Sequence, residues 1–268
     1  MSQKFIDQPV NGINMRVHVD GAGPPLLFVH GFPLNSRMWQ AQIERFKTEF
    51  TVLTPDLRGF GASDVSPGTV TMEQHADDLN TLLDALQLEQ PVIFCGLSMG
   101  GYIAWEFWKQ FPQRLRALML CDTRSEADSE AGIKNRLKMV DLVLKHGPES
   151  ISSSMIPNLI SETSQRHQPE ISKSLIEMIE STDREGIAAS QRGMAVRKDF
   201  SDQLMDIKVP ALLIVGSEDQ LTPPAVMKNM STQLPHAKYI EVPDAGHMTP
   251  MEAPDIVNQA MEDFLASC

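Results

Sequence analysis

Cysteine is scarce in this sequence, with three in 268 residues at Cys95, Cys121 and Cys268. No C-x-x-C pair occurs and no histidine stands at a metal-ligand interval from them, which argues against a disulfide framework or a zinc site. Cys95 and Cys121 each close an apolar run, where a small reduced thiol packs well. Long apolar runs are lacking too, so no segment reads as a bilayer span. The first five residues, Met1 to Phe5, have neither the apolar stretch nor the small-residue cleavage site of a signal peptide, and the expected location is cytoplasmic. Basic charge is in deficit: 23 Lys and Arg against 35 Asp and Glu leave a formal net charge of −12. That balance disfavours nucleic acid and anionic membrane surfaces as partners, and a highly anionic substrate unless a local arginine overrides it. P-loop, dinucleotide fingerprint and metal-ligand cluster are all missing, so no cofactor and no metal is expected. The remaining partner class is a small molecule, bound by a monomer or homodimer.

What is present is ordinary for a globular enzyme: 42% hydrophobic and 22% charged residues on a chain long enough for a sizeable core. Short apolar runs alternate with segments of helical period. Strands are expected at Pro25–His30, Thr51–Thr54, Pro91–Cys95, Leu115–Cys121, Pro210–Val215 and Lys238–Val242. Runs apolar on both faces are what a parallel sheet covered by helices requires. Helices are expected over Thr71–Leu86, Met99–Gln110 and Pro254–Leu265, giving an α/β, doubly wound, mostly parallel sheet. Phe5-Ile6 and Ile13–Val19 read as antiparallel edge strands joined at Asn11-Gly12. Between Arg124 and Asp206 the rhythm breaks into helical patterns alone: one marked by Ile133, Leu137, Val140 and Leu144, one by Ile171, Leu175, Ile176 and Ile179, one over Glu185–Val196. An all-helical insert between two strands reads as a cap. The expected division is a core over 1–123, a helical cap over 124–206, and the rest of the core over 207–268.

Gly96-Leu97-Ser98-Met99-Gly100 is a G-x-S-x-G motif set between a strand and a helix, the context a nucleophile elbow needs. Its glycines permit a strained turn that lifts the Ser98 side chain, and the helix aims its positive end at developing negative charge. A serine hydroxyl needs a base. Of seven histidines, His247 is best placed, in a loop between the final strand and the final helix. The base needs a carboxylate to fix its tautomer. Asp219, just past the strand ending at Val215, is the first candidate, with the adjacent Glu218 and the strand-terminal Asp122 as alternatives. For the oxyanion, the N–H groups of Met99 and Phe32 are the expected donors, since Pro33 has none. Arg58 and Ser63 read as structural members of a glycine-rich loop, and Arg124 as either solvated or facing an anionic group. Trp39, Trp105 and Trp108 read as packing residues, with Trp39 the one nearest the mouth of the site.

Taken in order, His30-Gly31-Phe32, Asp56-Leu57-Arg58-Gly59-Phe60-Gly61-Ala62-Ser63-Asp64, Gly96 to Gly101, Asp219 and Gly246-His247 resemble the α/β-hydrolase superfamily over nearly the whole chain outside the insert. The branch most resembled holds 3-oxoadipate enol-lactonases, small carboxylesterases and haloperoxidase-type perhydrolases. Dehalogenases and epoxide hydrolases of the fold carry an aspartate where this chain has Ser98. The resemblance implies a cofactor-free serine hydrolase of carboxylic esters or lactones working through an acyl-enzyme. C–C bond hydrolysis, perhydrolysis, or a slow-turnover ligand-binding or signalling protein on the same fold stand as alternatives.

Overall fold

A computed structural model describes residues 4–267, and Cys268 lies outside them. The expected apolar runs become strands β1 (Lys4–Val10), β2 (Ile13–Asp20), β3 (Pro25–Val29), β4 (Thr51–Pro55), β5 (Val92–Leu97), β6 (Leu115–Cys121), β7 (Ala211–Gly216) and β8 (Ala237–Val242). They form one sheet in the order β1-β2-β4-β3-β5-β6-β7-β8. The β1–β2 and β2–β4 pairs are antiparallel and every other pair is parallel. Asn11 and Gly12, at φ 43° and 80°, make the tight β1–β2 turn, since both central residues of such a hairpin need positive φ.

Helices α1 (Gln40–Phe46), α2 (Met72–Ala85) and α3 (Met99–Gln110) lie within the first part of the chain. Between β6 and β7 come α4 (Glu130–His146), α5 (Glu149–Leu159), α6 (Glu162–His167), α7 (Pro169–Glu180) and α8 (Arg184–Ala195). The last three are α9 (Pro224–Gln233), α10 (Thr249–Glu252) and α11 (Pro254–Leu265).

Alternation along each central strand divides the core by face. Leu27 and Val29 of β3 join α2, α3 and α9 through Leu79, Leu83, Ile103 and Met227. Leu26 and Phe28 face the other way, toward Ile43 of α1 and Val257 and Met261 of α11. That second core continues without a break into the inserted helices through Val140, Ile151, Leu175 and Ile187. The insert is therefore fused to the sheet's apolar face. No helix among the described residues is long and apolar enough to cross a membrane.

Four sequence expectations shift. Strand β5 runs to Leu97, two residues past Cys95, because Gly96 and Leu97 still pair with β6. Helices α5 and α6 come in addition to the three helices that the sequence patterns mark in the insert. On α4 the buried stripe runs through Val140 and Val143, leaving Leu137 46% exposed although its spacing marked it for the interior. Trp39 is fully buried against Phe28, their ring centroids 4.9 Å apart, and does not reach the mouth of the site.

Candidate active site

Ser98 sits at the turn from β5 into α3 with φ 53° and ψ −109°, a backbone position that costs a non-glycine residue energy and persists only where its surroundings enforce it. The enforcement is visible on both sides. The Ser98 N–H donates to the Cys121 carbonyl at 2.9 Å, and its own carbonyl accepts from the Thr123 hydroxyl at 2.7 Å. A Cβ at Gly96 would stand 2.4 Å from the Gly100 oxygen, and one at Gly100 would stand 2.3 Å from the Val29 oxygen. Only glycine at these two places lets α3 start this close to the sheet.

His247 lies between β8 and α10, and its Nδ1 is 2.8 Å from Asp219 Oδ2. Asp219 is fixed in turn, because its Oδ1 accepts the N–H groups of Leu221 and Thr222 at 2.8 Å each. With Nδ1 facing a carboxylate, the imidazole carries its proton there and leaves Nε2 free to accept. Both residues are nearly sealed from water, at 3% exposure.

Asp122 goes elsewhere. It is fully buried, accepting the Gly216 N–H at 3.0 Å and the Thr249 hydroxyl at 2.5 Å. Burial, and after it the charge of Asp219, push its carboxyl well above the usual carboxylate range. Glu218 is exposed on the outside of the same turn.

The loop after β3 is held by His30. Its Nε2 accepts the Leu57 N–H at 3.0 Å, so Nδ1 carries the proton and donates to the Gly31 carbonyl at 2.9 Å. Burial lowers the pKa of this ring and keeps it neutral. Phe32 follows and faces the site. Met99 is the first residue of α3, so its N–H is one of the helix's unpaired donors.

Ser98, His247, Phe32 and Thr222 line one cavity of about 290 Å³, closed on its far side by Met139, Met155, Leu159, Gln191 and Met194 from the inserted helices. Three arginines line it as well. Arg136 and Arg197 share the single carboxylate of Asp128, Arg197 at 2.7 Å. Burial would raise the Asp128 carboxyl, but the two guanidinium groups outweigh it and hold it below the ordinary range. Arg197 also stacks on the Tyr102 ring, 4.3 Å from its centroid. Arg124 donates to the Leu221 carbonyl and has no carboxylate partner among the described residues. The wall thus carries three positive groups against one negative.

Of the residues singled out in the sequence, Ser98, Asp219, His247, Phe32 and Arg124 converge here, and Arg58 does not, being paired with Asp78 away from the cavity. Sequence reasoning missed Asp128, Arg136, Arg197 and Tyr102. Of these, only Tyr102 carried a signal, one helical turn beyond Ser98 on α3.

A family model described as "alpha/beta hydrolase fold" matches residues 24–254. The chain belongs to the α/β-hydrolase-fold family. A 3-oxoadipate enol-lactonase of Acinetobacter baylyi is 30% identical over 239 residues, covering 89% of this chain and 87% of the relative. Among solved structures, a thermophilic esterase from Thermogutta terrifontis in a malate-bound state is 41% identical, covering 100% of this chain and 99% of the other with a TM-score of 0.95. The enol-lactonase from Burkholderia xenovorans is 25% identical, covering 98% and 100% of the two chains at a TM-score of 0.90.

Proposed function

We propose that this carboxylic-ester hydrolase cleaves esters or lactones through an acyl-enzyme on Ser98. The observation that carries the reading is the meeting of the Ser98 elbow and the His247–Asp219 pair at one cavity. In this scheme His247 Nε2 takes the proton of Ser98 as its oxygen attacks the carbonyl carbon. Asp219 holds the ring in the accepting tautomer and offsets the imidazolium charge. The N–H groups of Phe32 and Met99 receive the oxyanion. His247 then protonates the leaving oxygen, activates water, and the ester of Ser98 is hydrolysed. The inserted helices act as a cap that shapes the pocket above this floor.

The arginines refine the substrate class. A cavity with two uncompensated positive charges, inside a chain of net charge −12, favours an ester or lactone that carries a carboxylate. A relative named as a 3-oxoadipate enol-lactonase and an esterase relative solved with malate bound are in keeping with a carboxylate-bearing ligand. Arg124 is the guanidinium free to meet it.

A panel pairing p-nitrophenyl butyrate with the p-nitrophenyl monoester of succinate tests both levels. Ser98→Ala should lose roughly 10⁴-fold or more in kcat and all fluorophosphonate labelling. Arg124→Leu should lower kcat/KM for the acidic ester about tenfold or more, a typical loss for a charged hydrogen bond, and leave the neutral ester near wild type. Activity retained in Ser98→Ala ends the acyl-enzyme scheme. Equal losses on both esters end the role given to Arg124.

A further inference from the structure

Glu252 closes α10, five residues beyond His247, and it is buried without a cationic partner among the described residues. Its carboxylate collects backbone N–H groups instead. Both oxygens lie 3.0 Å from the Gly246 nitrogen, and Oε1 accepts the Met248 N–H at 3.0 Å. The N–H groups of the residues on either side of His247 thus converge on one side chain. A third donor comes from the insert: the Ser161 N–H reaches Glu252 Oε2 at 2.8 Å.

The same junction is stitched by other bonds. The N–H of His247 itself donates to the carbonyl of Leu159, the last residue of α5, at 2.9 Å. The Ser161 hydroxyl donates to the Asp244 carbonyl at 2.8 Å, and Gln168 Nε2 to the Glu252 carbonyl at 3.2 Å. Contact is tight enough that a Cβ at Gly246 would stand 2.6 Å from the Ser161 nitrogen. A buried carboxylate is tolerated when several N–H donors take the place of water, and such bonds to an ionised acceptor are roughly twice as strong as neutral ones.

We infer that Glu252 is a positioning residue for His247, and that through Ser161 it makes the placement of the base depend on the α5–α6 junction of the cap. Glu252 does not line the cavity, so it acts on the ring only through the loop. A ligand that shifts α5 therefore shifts His247. The inference rests on His247 being the base, which His247→Ala tests separately.

Glu252→Gln keeps the shape but turns an NH₂ group toward N–H donors. The expected result is a loss of about 10–100-fold in kcat, the scale set by small misplacements of a catalytic group, with KM for p-nitrophenyl acetate little changed. Fluorophosphonate labelling of Ser98 should slow in step, and the downfield proton resonance of the His247–Asp219 hydrogen bond should move or broaden. A merely structural role would lower Tm and leave the turnover of active-site-titrated enzyme and the proton resonance alone.

A second pair of variants isolates the link to the cap and does not need Glu252→Gln to fold. Ser161 has φ −61°, and Ile160 before it is extended at φ −130° and ψ 152°, so the backbone suits a proline at position 161 preceded by Ile160. Ser161→Pro deletes the N–H that binds Glu252, whereas Ser161→Ala keeps it and removes only the hydroxyl. Ser161→Pro should lose at least about tenfold more kcat than Ser161→Ala. Equal kcat in the two Ser161 variants, or wild-type turnover in Glu252→Gln, overturns the inference if His247→Ala is inactive. An active His247→Ala would instead overturn the choice of base.

Discussion

Asp122 holds a left-handed backbone position at the end of β6, with φ 49°, and its carboxyl is pushed up by burial and by the nearby charge of Asp219. In the unfolded chain it ionises in the ordinary carboxylate range. Above that range the folded state binds the extra proton, so this group's contribution to stability is present at low pH and is lost as pH rises. Asp122→Asn should therefore lose less Tm than wild type between about pH 5 and 8, a comparison made by thermal scans at each pH. Its esterase activity should remain near wild type, because His247 pairs with Asp219, whereas Asp219→Asn should lose roughly 10⁴-fold in kcat. His75 works in the opposite sense. Burial first, then the neighbouring His30 and Arg58, lower its pKa to about 3 from 6.5, and neither ring nitrogen has a hydrogen-bond partner among the described residues. Between those two values the unfolded chain binds the proton and the folded chain does not, so stability falls as pH drops below about 6.5, by up to about 1.4 kcal/mol per pH unit. His75→Leu should flatten that acid limb in denaturant titrations, and a limb as steep as wild type would place the acid sensitivity in another group.

Arg58 works at the level of elements, since it ties three of them together. Its Nε and Nη2 meet the two oxygens of Asp78 on α2 at 2.8 Å each, Nη2 also reaches the Asn11 carbonyl at the β1–β2 turn, and Nη1 reaches Ser66. Removing one member of a buried pair strands the other charge, so Arg58→Met should cost about 3–5 kcal/mol in urea unfolding. The double variant Arg58→Met/Asp78→Leu should recover most of that loss, and turnover per folded molecule should hold in both. The structural reading of this arginine was available from its glycine-rich loop, just as the central strands were available from runs apolar on both faces. Helices α5 and α6 were not legible. Helix α5 is rich in serine and contains Pro157, so its local preference is weak, and the burial of Ile151, Ile156 and Leu159 decides it. Asp219 and Asp122 both fall between Ser98 and His247, so chain order does not separate them and only the contact with His247 does, while Glu252 was not visible at all. Its partners are backbone N–H groups, which leave no pattern in side chains. The shared claim of Arg136 and Arg197 on Asp128 likewise exists only because α4 and α8 pack side by side.

The whole molecule sets two fields against each other. From a distance an anionic ester meets a body of net charge −12, while inside the cavity it meets Arg124 and the pair of arginines on Asp128. Salt acts unequally on the two. At about 0.15 M the screening length is about 8 Å, which suppresses the long-range repulsion, whereas contacts between partly buried groups are screened much less. Raising ionic strength from about 10 to 150 mM should thus increase kcat/KM for the p-nitrophenyl monoester of succinate by roughly two- to fivefold and leave p-nitrophenyl butyrate unchanged. Arg124→Leu should show the same rise from a lower starting value, because it removes a contact and leaves the outer field in place. A wild-type rate on the acidic ester that falls with salt would mean that the arginines project their field beyond the cavity mouth and outweigh the acidic surface around it.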